Sequence, residues 1–149
     1  MSVWRRKALA LFPDSREDIE KNFSLYDFWF DYCPLTIEAH QNNDFEFLKK
    51  IYGLAEWCIN KKSKVLWNAT GTAFYEHLLD VKKTQWPQIL PWVSDNVIYQ
   101  HNIKGLWNDR LGDEENKLLD EMLKTRKEGN TALKFSRPNL YTTNEIHKF

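Results

Sequence analysis

Apolar residues recur every three or four positions along most of the chain, broken by short polar runs, and sustained alternation is scarce before residue 130. That spacing predicts helices, and no Asn-Gly or Asp-Gly pair offers a hairpin turn between strands. The first helix is expected from Ser2 to Phe12, and a second follows from Asp14 or Ser15, with Glu17 and Asp18 in its first turn. Ser24 should cap a third, "LYDFWFDYCPLTIEAHQNN", in which Pro34 lacks the amide a helix needs and should kink or divide it. Asn43 or Asp44 opens the clearest pattern. Phe45, Leu48, Ile51, Tyr52, Ala55, Cys58 and Ile59 form one face there, and Glu46, Lys49, Lys50, Gly53, Glu56 and Asn60 form the other.

The break "NKKS" is short enough to make the next helix, residues 64–80, an antiparallel neighbour of residues 44–61. Within it, Trp67, Gly71, Phe74 and Leu78 define the apolar face, and Ala69, Gly71 and Ala73 let a neighbouring helix approach closely. "DVKKTQWPQILPWVSD" reads as a turn with a short helical piece, and Ser94 or Asp95 begins a helix to about Arg110 whose pattern fits either burial on two sides or a break. Asp113 opens a last helix with acids early and bases late, Leu118, Leu119, Met122 and Leu123 inside, and Gly129 as its stop. The expectation is an all-α, single-domain bundle of about six or seven helices on a central αα-hairpin, with a short stack of helix pairs as one form. The helical domain is placed at residues 1–128, followed by an irregular or extended arm over 129–149.

Composition supports such a core: the chain has 149 residues, and seven Trp, six Tyr and nine Phe supply rings for the interior or for contact surfaces. Twenty-one basic residues balance 21 acidic ones, and the balance does not hide two opposed halves: residues 1–32 sum to −1, 33–62 to 0, 63–112 to +1 and 113–149 to 0. A nucleic-acid partner, which would call for a basic face, is therefore not expected; Lys124 to Arg137 is locally basic, as a solvated helix end commonly is. The apolar stretch after Arg5, Arg6 and Lys7 stops at Pro13, too short for a signal, and nothing reaches a membrane span. Cys33 and Cys58 are too few for a disulfide framework. A soluble, cytoplasmic protein without cofactor, metal or membrane partner is the expectation.

Candidate chemistry is sparse. Glu76 and His77 stand side by side, but adjacent helical residues project about 100° apart, so an α-helix would not make them a dyad. Asp27 and Asp31 share a face with Glu38, as solvated carboxylates usually do, although paired carboxylates also serve as metal ligands or as acid and base. The four histidines lack metal-binding spacing, and no phosphate-cradling glycine loop or nucleophile elbow occurs. Cys58 with His77 would make a nucleophile and base only if the thiol left its apolar stripe.

The stretches "WRRKALALFPD", "IYGLAEWC" and "WNATGTAFYEHLLD" resemble, over roughly residues 1–110, a family of small bacterial all-helical domains without assigned activity. That resemblance implies a bacterial, cytoplasmic setting and carries no catalytic residue across. Two functional expectations remain. The first is a protein-binding helical domain, either an immunity protein that neutralises a bacterial toxin or an adaptor, with no catalytic residues. The alternative is a small-molecule-binding protein or enzyme whose polar pocket uses Tyr52, Glu76, His77 and Asp31.

Overall fold

The computed structural model describes residues 1–22 and 24–127, so the expected arm at 129–149 and its Gly129 boundary lie outside the described residues. Helices are the only regular structure among the described residues, and the fold is all-α. The described chain falls into two compact units, residues 1–75 and residues 76–127.

In the first unit, α1 (Val3–Leu11) buries Trp4, Lys7, Ala8 and Leu11, and α2 (Arg16–Lys21) buries Ile19. Arg5 ties the two together by donating to the carbonyls of Ile19 (2.6 Å) and Asn22 (2.7 Å) at the end of α2. Those carbonyls lack donors within their own helix, so a guanidinium suits them. Then α3 (Leu25–Gln41) begins at Ser24, whose hydroxyl accepts from the Asp27 amide at 3.2 Å, and runs unbroken through Pro34. Pro34 does not divide the helix because it and Phe30 lie on the exposed side, where water can take the carbonyl that the missing amide leaves.

A left-handed Asn43 (φ 54°) turns the chain, and the Asp44 side chain caps α4 (Phe45–Ile59) by accepting from the Phe47 amide. α4 packs against α1, α3 and α5 (Lys64–Ala73), which explains two departures from the expected faces. Gly53 and Glu56, expected on the wet side, are buried, because helices enclose α4 on more than one side. Phe45, expected inside, is exposed because it precedes the enclosed part of the helix. In α5, Ala69, Gly71 and Ala73 are buried as the close-approach pattern requires, whereas Trp67 is partly exposed.

Three polar pairs align α3 with α5: Tyr26 with Asn68, Trp29 with Thr70, and Cys33 with the Phe74 carbonyl. Both sets of residue numbers rise together, so the two helices run in the same direction, each joined to α4 by a short turn. Around them lies a ring cluster, with Phe28 stacked on Tyr32 at 4.2 Å and Trp29 against Phe74 at 4.5 Å. Such pairs contribute about 0.5–1.5 kcal/mol each beyond area burial.

The second unit is built from shorter pieces. Pro87 and Pro91 start α6 (Trp86–Ile89) and a following tight turn (Leu90–Trp92). The ambiguous segment before Arg110 is broken: a wide turn at Asn96–Gln100 ends at Asn102, whose left-handed backbone (φ 56°) separates it from α7 (Ile103–Arg110). Gly105 leaves room for the Asn102 side chain, which a Cβ there would meet at 2.6 Å. In α8 (Asp113–Lys127), Glu115 reaches back to the Gly112 amide, while Arg126 donates to the carbonyls of Leu90 (2.8 Å) and Val93 (2.7 Å). Leu119 and Leu123 are its buried residues; Leu118 and Met122, expected inside with them, are half-buried.

His40, buried in α3 with Nε2 at 2.7 Å from the Tyr52 hydroxyl, yields the first prediction. Burial holds its pKa down to about 4, so the unfolded chain binds a proton before the folded one does. Stability should therefore fall as pH drops from about 6.5 to about 4, by on the order of 3 kcal/mol in total. Urea unfolding across that range should show the slope in the wild type and its loss in His40→Gln. An equal slope in both proteins would refute the assignment.

Candidate functional site

The helix expected to reach residue 80 ends at Ala73. Thr70 and Thr72 turn their hydroxyls back onto the carbonyls of Leu66 and Asn68, and the Phe74 carbonyl accepts from the Cys33 thiol. The two threonine bonds are local and compete with continued helix. A tight turn, Tyr75–His77, follows.

This turn changes the relation between Glu76 and His77. In an α-helix they would diverge, whereas here His77 Nε2 lies 3.7 Å from Glu76 Oε2. His77 Nδ1 donates to Asp80 Oδ2 at 2.9 Å. Arg110, at the end of α7, completes the cluster: its Nε donates to Asp80 Oδ1 at 3.0 Å, a second nitrogen bonds Asp80 Oδ2, and a third lies 3.7 Å from Glu76. All four side chains are only partly buried. Burial alone would raise the Asp80 pKa, but the hydrogen bonds and charges of Arg110 and His77 overcome it and hold the carboxyl below its ordinary value. Reciprocally, the Asp80 hydrogen bond raises the Arg110 pKa.

Chemically, the Asp80 contact orients the His77 ring with Nδ1 protonated and Nε2 turned toward Glu76, an arrangement that can position a general base. Arg110 already neutralises the carboxylate that would otherwise stabilise an imidazolium, so the network is electrostatically satisfied as it stands. Glu76 and His77 are thus brought together, with Asp80 and Arg110 as partners that helical-face reasoning missed. The available signal was Asp80, three residues beyond His77; nothing in the local pattern pointed to Arg110.

Tyr52 and Asp31 belong to the other unit and do not share an open site there. The Tyr52 ring is sealed within α4's packing beside His40, and Asp31 stands on the exposed side of α3. Cys58 is fully buried, and burial pushes its thiol up to about 12, the state of an inert hydrophobe rather than a nucleophile. Among the described residues, no group of three or more His, Cys, Asp and Glu is placed to hold a metal ion. No described helix is long and apolar enough to cross a membrane.

Fold and site together define an all-helical domain with a satisfied surface ion-pair network. Residues 5–107 match the family described as a domain of unknown function, DUF7674, and the chain belongs to that family. No curated protein and no solved structure matches the chain.

Replacing Arg110 by Gln should raise the Asp80 pKa toward its ordinary value of 3.8 in a carbon-detected NMR titration. Because these groups are well solvated, the stability change should stay below about 1 kcal/mol. An Asp80 titration unmoved by the substitution would show that Arg110 does not govern the network.

Proposed function

We propose that this chain is a protein-binding helical domain acting in a bacterial cytoplasm, as a toxin-neutralising immunity protein or an adaptor. The observation that carries this reading is the surface of the first unit. Phe30 (57% exposed), Phe45 (54%) and Trp67 (39%) stand outside a unit that packs Trp4, Phe12, Phe28, Trp29 and Phe74 within it. Leu35 and Val65 are exposed in the same unit. Large apolar side chains left at a surface are what a protein interface buries, and a few such rings commonly carry most of its binding energy. Overall charge balance argues against an inhibitor that works by mimicking phosphates, so an immunity role would rest on something other than simple phosphate mimicry.

A second reading, a small-molecule or catalytic site, draws its support from the Asp80–His77 hydrogen bond beside Glu76. The Arg110 contacts that already satisfy Asp80 weigh against it.

The test is affinity capture of the tagged full chain at native expression, followed by reconstitution of any captured complex and measurement of its mass in solution. One protein partner should be retained in fixed stoichiometry and reassemble from purified components. Recovery of the domain with a retained small molecule and no stoichiometric protein would replace this reading with the second.

A further inference from the structure

The charge balance of the whole chain conceals a segment without cations. From residue 22 to residue 48 there is no Lys or Arg, while Asp27, Asp31, Glu38, Asp44 and Glu46 all occur. All five carboxylates belong to exposed residues, and none takes part in an ion pair among the described residues. Elsewhere in the same unit, Glu17 pairs with Lys21 and Glu20 with Arg16, while Asp14 and Asp18, exposed as well, make no ion pair among the described residues.

Three of the acids lie in a continuous stripe along α3. Asp27, Phe30, Asp31, Pro34, Leu35, Glu38 and Gln41 are all exposed, at the three- and four-residue spacing that makes one helix face. The opposite face, including Phe28, Trp29, Tyr32 and Thr36, is buried. Two details at the stripe favour a cationic occupant. Pro34 has no amide to offer the Phe30 carbonyl, so a backbone acceptor lacks its helical donor at the middle of the stripe. Glu38 stands in the last turn of α3, where the helix dipole favours a cation and opposes a carboxylate.

We propose that the outer face of α3 is a docking surface for a basic amphipathic helix of a partner protein. Its apolar residues would cover Phe30, Pro34 and Leu35, and its Lys or Arg side chains would reach Asp27, Asp31, Glu38 and the Phe30 carbonyl. The seventeen residues of α3 extend about 25 Å, enough to match a partner helix of four to five turns. This proposal rests on the protein-binding reading and deepens it: complementary charge selects and orients the partner, and the exposed apolar residues hold it.

The test uses the full chain and a synthetic helical peptide of about 18 residues, with Leu on one face and Lys on the other, labelled for fluorescence anisotropy. A peptide with Glu in place of every Lys is the charge control. Wild-type protein should bind the Leu/Lys peptide and not the Leu/Glu peptide, with affinity falling as salt rises. The double variant Asp31→Lys, Glu38→Lys should weaken binding about tenfold or more, and Phe30→Ala should weaken it several-fold. Glu114→Lys with Glu121→Lys, the same charge change placed on α8, should leave it within about twofold. Thermal unfolding of each variant reports that it is folded, and Phe30→Ala tests the surface without a charge change. No binding by the wild type, or an equal loss in the α3 and α8 variants, overturns the proposal. If the Asp31→Lys, Glu38→Lys protein still retains the cell-derived partner in full stoichiometry, the protein-binding reading stands and this surface is not its interface.

Discussion

The buried hydrogen bond from the Trp29 indole to the Thr70 hydroxyl, 3.0 Å long, is the contact from which the first unit takes its register. An indole nitrogen sealed from water must find an acceptor or forfeit its hydration, at a cost of about 1–3 kcal/mol. Thr70 satisfies it and also donates to the Leu66 carbonyl of its own helix, so one hydroxyl links α3 to the backbone of α5. Rings then close around the bond: Trp29 lies against Phe28 and Phe74, and Phe74 lies against Tyr52. Rotating α3 by one residue would break the polar bond and the ring contacts together.

Fixing α3 in this way determines what it shows to solvent. With Phe28, Trp29, Tyr32 and Thr36 held inward, the acids and apolar residues at the complementary spacing must face out. The same alignment places Cys33 at the Phe74 carbonyl, which assists the end of α5. Termination at Ala73 lets the following turn gather Glu76 and His77 toward Asp80 and Arg110 rather than spreading them around a helix. Packing inside the first unit therefore sets the exposed face of α3, whose three acids make no ion pair among the described residues.

Much of this was legible from the chain. The caps at Ser24 and Asp44, the buried positions of α4 from Leu48 to Ile59 and the return of the chain into α5 followed from spacing and side-chain chemistry. What escaped depended on contacts distant in sequence. Apolar periodicity continues past Ala73 without a Gly or Pro to stop it, and the influences that favour the end are threonine hydroxyls bonding backward and a thiol 41 residues away. Glu56 looked solvated because the local pattern could not reveal that α1, α3 and α5 all surround α4. The break at Asn102 showed only as two conflicting apolar faces, since a left-handed residue other than glycine has no strong local signal. For the site, the assumed helix misled: helical geometry separates Glu76 from His77, and the turn that reunites them comes from that unexpected helix end.

The most direct measurement of the central claim is a double-mutant cycle on Trp29→Phe and Thr70→Val, with each protein unfolded in urea. If the indole–hydroxyl bond sets the register, each single variant will be destabilised and the double variant will lose less than their sum, with a coupling of at least about 1 kcal/mol. A coupling indistinguishable from zero would contradict the account, because the two residues would then be contributing independently and the alignment of α3 with α5 would have another origin.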